Sequence, residues 1–273
     1  MNDLDFDAVD AVEFAPGRRV VFRRKGQGPP IVLLHGGVGS WNHWVRNIGP
    51  LSRRFTVFAP DMPGFGDSDD AEPRAPYDVY HGYVAAAVER MLPPGKPFHL
   101  VGFSFGGMIG SGVACRLNHR LAAATFIAPS GFFPTRTRKV KLRKRQPDLT
   151  AAQVRELHRY NLNQFMLHRP QSIGEDTITS HEHNHLRSRF NNFHLSRSGR
   201  VFGTMPLIVA PLQLIWGEQD RTVNPEVADR VDVCRTWMPP FELHTIPDAG
   251  HWAAYEAAET VNRLLTAFHG QFG

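Results

Sequence analysis

Short, almost uninterrupted apolar runs recur along the chain, and each is closed by glycine, proline or aspartate. They read "RRVVFRR", "PIVLLHG", "FTVFAPD", "FHLVGFS", "AAATFIAPS", "LQLIWGEQD" and "FELHTIPDAG". From the second onward, most lack polar alternation, which is how strands buried on both faces of a parallel sheet read. Longer segments with helical spacing lie between several of them, such as "YDVYHGYVAAAVERML" and "AAETVNRLLTAFHGQF". Strand, helix and strand in alternation predict a doubly wound α/β sheet. The first run is expected to be one arm of an antiparallel hairpin, since "APGRR" precedes it and "RKGQGPP" follows. From about Phe132 to Pro206 the rhythm breaks. The chain is polar, basic and rich in histidine there, with helical stretches such as "TAAQVRELHRYNLNQFML" but no clear buried strand. The sheet pattern resumes at Leu212. This predicts a core of residues 1–131 and 207–273 with a helical cap inserted at 132–206.

Composition narrows the class. A chain of 273 residues that is 42% hydrophobic can bury one large core or two modest ones. The net charge of +5 is local: "RTRKVKLRKR", from Arg136 to Arg145, holds seven basic residues and no acid. The rest is close to neutral, so no nucleic-acid partner is predicted. The basic run itself reads first as a solvated helix face. Steering of an anionic substrate and contact with an acidic surface are its functional readings. Two cysteines, Cys115 and Cys234, are too few for a disulfide framework and are expected to be reduced and buried. The N-terminal "MNDLDFDAVD" lacks the basic and apolar regions of a signal peptide, and no apolar stretch nears the roughly 20 residues that span a bilayer. The expectation is a cytoplasmic protein with no membrane partner.

The chemistry concentrates in "GFSFGG". Gly102, Ser104 and Gly106 match G-x-S-x-G, with an apolar strand leading in and a small-residue helix, "FGGMIGSGVA", leading out. Such a corner strains the serine backbone and presents its hydroxyl above the strand ends. Side chains two residues to either side would collide there. A serine hydroxyl needs a base, and the base needs an orienting carboxylate. The order expected after the nucleophile is acid, then histidine, each on a loop behind a later strand. "LQLIWGEQDRTV" supplies Asp220, with Glu218 as competitor, and "FELHTIPDAGHWAAYE" supplies His251. Asp248 is read as a loop acid. The candidate catalytic set is therefore Ser104, Asp220 and His251. Two backbone N–H groups are needed for a developing oxyanion. One is expected from Phe105 and the other from Gly37 or its neighbour Val38, with Gly36 beside them at the end of "IVLLHGG".

Taken together, "LLHGGVGS", "APDMPGFGDSD", "VGFSFGG", "WGEQDRTV" and "DAGHWAAYE" resemble the motifs of capped α/β-hydrolases, in family order and over most of the chain. The resemblance implies a mostly parallel eight-stranded sheet flanked by helices, with no cofactor and a small-molecule substrate. Within that superfamily, "GHWAAYE" followed by "NRLLTAF" is similar to the meta-cleavage-product hydrolases, which break carbon–carbon bonds in diketone acids formed from aromatic rings. That likeness implies that Trp252 lines the substrate pocket. It also implies that a cap arginine pairs with the substrate carboxylate, Arg187 or Arg189 ahead of Arg197. Phe103 stands where that group usually has an asparagine that helps to bind the dienoate, so it joins the substrate-contact candidates. The oxyanion loop "HGGVGSWNHW" matches only in part. In the C–C case Ser104 attacks a ketone after ketonisation, by an acyl-enzyme or a gem-diol route. A carboxylesterase and a non-catalytic binding protein of the same fold stay as alternatives. Similar proteins are commonly homodimers.

Two cap features complete the reading. Phe132, Phe133, Phe165 and Phe190 are candidates either for an apolar pocket or for cap core. "HEHNH" places His181, His183 and His185 at alternate positions. No metal is predicted there, because no aspartate or cysteine completes a site and a helix scatters alternate residues.

Overall fold

The computed structural model describes residues 4–132, 140–196, 198–223 and 226–273. Phe133, Arg197 and residues 136–139 of the basic run lie outside the described residues. The strands are β1 (Ala8–Ala15), β2 (Arg18–Lys25), β3 (Pro30–Leu34), β4 (Thr56–Pro60), β5 (Phe98–Phe103), β6 (Leu121–Ile127), β7 (Leu212–Gly217) and β8 (Glu242–Ile246). They form one eight-stranded sheet in the order β1-β2-β4-β3-β5-β6-β7-β8. The expected hairpin joins β1 and β2 antiparallel, and β2 also runs antiparallel to β4. From β4 to β8 every pair is parallel. Strands β5 and β7 are buried throughout, as their continuous apolar runs require. Strand β1 escapes that search because it alternates: Val9, Ala11 and Glu13 face solvent while Val12 and Phe14 face inward.

The helices, in chain order, are α1 (Ile48–Leu51), α2 (Tyr77–Met91), α3 (Phe105–Arg116), α4 (Ala151–Phe165), α5 (Glu175–Leu186), α6 (Phe193–Ser196), α7 (Val201–Thr204), α8 (Val227–Trp237), α9 (Ala253–Glu256) and α10 (Ala258–His269). Helix α3 carries buried glycines that let it lie close on the sheet: a Cβ on Gly110 would stand 2.9 Å from the Phe126 ring. Helices α4 and α5 lie in the segment between β6 and β7, the one expected to form a cap. Thr150 starts α4 with a reciprocal capping box to Gln153, and Glu175 and Asp176 place acid in the first turn of α5. That segment is tied to the rest of the chain at several points. Phe190 stacks on Tyr80 with ring centres 4.4 Å apart, and the Trp252 backbone N–H donates to the Met166 carbonyl at 2.7 Å. Thr204, at the end of α7, meets the core directly through hydroxyl contacts to Tyr77 and Ser111.

Both cysteines are free thiols. Cys234 is buried, whereas Cys115 is half-buried, with its Sγ donating to the Thr204 carbonyl. Burial pushes the two thiols up, to about 12 and about 11 respectively, so neither is a thiolate at neutral pH. No helix among the described residues is long and apolar enough to cross a membrane.

Beneath the sheet, His99 and His269 sit against one another with their Nδ1 atoms 3.2 Å apart, and His269 Nε2 meets Thr125 Oγ1 at 2.9 Å. Burial lowers His99 to about 4, and burial followed by the proximity of His99 lowers His269 well below the ordinary value. In the unfolded chain both titrate near 6.5. Between those limits the unfolded chain takes up protons that the native state refuses, so stability falls as pH drops from about 6.5 toward 4. For His99 alone the full loss is about 3 kcal/mol. Denaturation midpoints are expected to hold level from pH 7.5 to about 6.5 and to decline from there to 4.5. A flat profile across that interval would contradict the assignment.

Candidate active site

The carboxyl ends of β3, β5, β7 and β8 open at one edge of the sheet, where ligands of open α/β folds bind. The loops at that edge carry Ser104, Asp220, His251 and residues 36–38. Ser104 joins β5 to α3 with φ +52° and ψ −112°, a left-handed conformation unusual for a residue with a side chain. The flanking glycines are required sterically. A Cβ on Gly102 would run into the Gly106 carbonyl oxygen, and one on Gly106 into the Leu34 carbonyl oxygen of the neighbouring strand. Ser104 N–H is held by the Ile127 carbonyl at 2.9 Å, which fixes the corner against the end of β6.

His251, on the loop after β8, reaches both partners. Its Nε2 lies 2.9 Å from Ser104 Oγ and its Nδ1 lies 2.8 Å from Asp220 Oδ2. Asp220 is 5% exposed and His251 3%, so this chain of hydrogen bonds is shielded from water. The other carboxylate oxygen, Asp220 Oδ1, accepts from Thr222 N–H at 2.8 Å and Thr222 Oγ1 at 2.7 Å. The competing acids stand elsewhere. Glu218 points to solvent, and Asp248 is largely exposed, 3.6 Å from His168. A neutral imidazole so held can accept a hydroxyl proton at one nitrogen while donating to a carboxylate at the other.

The loop after β3 packs beside the serine. His35 is buried, and its tautomer is set by an Nδ1 contact to the Gly36 carbonyl at 2.7 Å and by Met62 N–H donating to Nε2 at 2.9 Å. Gly36 N–H donates to His43 Nδ1 at 3.1 Å, so that amide is already committed. Burial drives His43 well below the ordinary value, with His35 and His251 adding to the effect, and a neutral ring is what accepts this bond. Gly37 is pressed by cap residue Asn192, and Val38 has φ +50°. Phe105 is the first residue of α3, where a backbone N–H has no partner within the helix.

The remaining candidates are distributed differently. Phe103 is buried, with its ring 5.1 Å from that of His251 and 5.6 Å from that of His43. Trp252 is also buried; its Nε1 donates to the His43 carbonyl at 3.0 Å and its ring stacks on Tyr255 at 4.4 Å. It therefore braces the histidine loop against the loop after β3. Arg187 and Arg189, the candidates drawn from resemblance, both have partners within the chain. Arg187 pairs with Asp67 of the core, and Arg189 pairs with Asp70 while donating to the Gly66 and Ser68 carbonyls. Two acids that follow β4 thus hold guanidinium groups from the end of α5 and the segment after it. Of the cap phenylalanines, Phe165 faces the His251 ring at 5.2 Å, Phe190 anchors on Tyr80, and Phe132 lies beneath Arg230.

Glu256 is a positioning residue that sequence reasoning passed over, although "GHWAAYE" contains it. Its buried carboxylate accepts from the N–H groups of Gly250 at 2.7 Å, His168 at 3.0 Å and Arg169 at 2.6 Å. One side chain thus fixes the loop before His251 and the segment after α4 together. Its position at the end of the motif was the available signal. The histidine pattern also differs from expectation. Helix α5 turns His183 away, but His181 and His185 are four residues apart and share a face, where His158 of α4 joins them.

The match to the alpha/beta hydrolase family model extends over residues 31–264. The chain belongs to that family, and its enzyme class is that of the hydrolases. Its relatives narrow the comparison. It is 30% identical over 271 residues to a 2-hydroxy-6-oxo-6-phenylhexa-2,4-dienoate hydrolase of Burkholderia cepacia, covering 92% of this chain and 91% of that protein. Among solved structures it resembles a meta-cleavage product hydrolase, CumD, with TM-score 0.71 and 20% identity, covering 96% of this chain and 98% of the other. A putative aryl esterase from Burkholderia cenocepacia has TM-score 0.76 and 20% identity, covering 96% and 97%. The two structural likenesses bear on the fold alone.

Proposed function

We propose that the protein is a serine hydrolase in which Ser104 is the nucleophile, His251 the general base and acid, and Asp220 the residue that orients the imidazole. The observation that carries this reading is the contact of His251 with both partners, at 2.9 Å and 2.8 Å. As Ser104 Oγ bonds to the substrate carbonyl carbon, His251 Nε2 takes the hydroxyl proton and the carbonyl π electrons move onto oxygen. Phe105 N–H and a second donor from Gly37 or Val38 stabilise that oxyanion, each worth about 3 kcal/mol. Collapse breaks the bond to the leaving group, which receives the proton from His251. Water, activated by the same imidazole, then releases Ser104.

For substrate, the reading favoured is a carbon–carbon bond in a ring-fission diketone acid. It is supported by the similarity to the phenylhexadienoate hydrolase over 92% of the chain. A carboxylic ester is the second reading. It is favoured by the pairing of Arg187 and Arg189 with Asp67 and Asp70, and by an apolar Phe103 beside His251. A turnover screen separates them, using a ring-fission dienoate followed by its visible absorbance beside acetyl and butyryl p-nitrophenyl esters. Dienoate loss is expected to dominate. Efficient ester cleavage with no dienoate loss would replace the first reading by the second. Failure of an active-site phosphonate to label Ser104 in folded protein would overturn both in favour of a binding protein.

A further inference from the structure

Three imidazoles meet between α4 and α5, and one of them, His181, also faces His43 of the segment after β3. His158 comes from α4, and His181 and His185 from consecutive turns of α5; one ligand nitrogen from each lies within 4.8 Å of the other two. Ring centres are 5.2 Å apart for His158 and His181, 5.2 Å for His158 and His185, and 4.7 Å for His181 and His185. Two of the nitrogens are buried without a hydrogen-bond partner among the described residues, His158 Nδ1 and His181 Nε2. Buried polar atoms left unpaired are costly, and most are found satisfied. Three imidazoles that converge in this way, two of them with a buried nitrogen left unpaired, have the composition of a metal-ligand set.

We propose that His158, His181 and His185 form a binding site for a divalent transition metal ion, with zinc as the reference cation. Imidazole nitrogen suits zinc, copper and nickel, and three histidines leave a fourth position for water. Zn–N bonds of about 2.0–2.1 Å place tetrahedral ligands about 3.3 Å apart, so side-chain rotation must bring the nitrogens closer by up to about 1.5 Å. His185 is exposed and supplies both that freedom and an entry path.

The surroundings are mixed in charge. His185 lies in the last turn of α5, where the free carbonyls and the helix dipole favour a cation. Glu182 attracts, while Arg145 and Arg155 oppose; Arg155 is itself drawn toward Glu175 and Glu182. Desolvation lowers all three rings, His185 to about 4 although that residue stays partly open to solvent, which favours the neutral form that binds metal. A bound ion would clamp α4 to α5. Helix α5 also carries Asn184, which accepts from Ser40 Oγ and Asn42 Nδ2, each at 3.0 Å. Occupancy would therefore steady the loop that holds Gly36 to Gly39, without the metal touching Ser104. The proposal does not depend on the hydrolase reading.

The test is calorimetric titration of chelator-stripped, tag-free full-length protein with zinc chloride. One equivalent is expected to bind, raising the melting temperature. Loss of a ligand should weaken binding more than loss of an outer-shell partner does, that is by more than about 100-fold. His185→Ala, an exposed change that leaves the fold intact, and His181→Ala should both do so. His183→Ala, on the same helix but outside the cluster, should bind as wild type does. Cobalt in place of zinc should give a visible absorption that His185→Ala abolishes. Absence of a stoichiometric site in the folded wild type, or equal affinity in wild type and His185→Ala, would overturn the proposal.

Discussion

Ser104→Ala is expected to reduce kcat by about 10⁴- to 10⁶-fold on whichever substrate the wild type turns over best. The change removes one oxygen from a site otherwise kept intact. Alanine faces the same left-handed backbone as serine, so the strain at φ +52° is unchanged and the fold persists. The His251–Asp220 bond at 2.8 Å does not involve the lost atom, so the imidazole stays in place with nothing to deprotonate but water. The residual rate, due to the oxyanion donors and binding alone, should still exceed the uncatalysed reaction. Steady-state kinetics beside a denaturation curve make the measurement. A loss under tenfold with native stability would remove Ser104 from the chemistry.

Asp220→Asn should cost about 10⁴ in kcat with little change in KM. The reason lies in the neighbours of the carboxylate. Thr222 N–H and Thr222 Oγ1 both donate to Asp220 Oδ1, at 2.8 and 2.7 Å. In the amide those donors retain the carbonyl oxygen, which turns the NH₂ group toward His251 Nδ1. That nitrogen must then accept, so the imidazole proton moves to Nε2. A protonated Nε2 donates to Ser104 Oγ where it should accept, and the base is lost although no side chain has moved. Nitrogen NMR of His251 should report the exchanged tautomer. Wild-type kcat in Asp220→Asn would mean that the carboxylate has no part in orienting the base.

Both expectations rest on features the sequence carried openly. The elbow was legible because its glycines answer a local steric demand: with Cβ atoms at Gly102 and Gly106 the corner cannot close on the neighbouring backbone. The strands were legible where both faces are buried, since burial removes polar alternation, and β1 was missed because one of its faces is wet. His251 followed from chain order and Asp220 from its place behind a strand. Nothing local could separate Asp220 from Glu218 two residues earlier; the fold did so by burying the one beside His251 and exposing the other.

What tertiary structure alone decided concerns polar side chains whose partners lie far away in the chain. Arg187 and Arg189 carry no sign in their own segment that Asp67 and Asp70 await them after β4. Glu256 shows its role only once residues 168, 169 and 250 converge on it. The "HEHNH" stretch looks scattered when read singly, because a helix parts alternate residues. It becomes a cluster through the four-residue spacing of His181 and His185 and the arrival of His158 from a separate helix. Periodicity and steric demand act within a few residues and are written in the sequence. Pairing of charges and convergence of ligands depend on how elements pack, and packing is fixed by the whole chain.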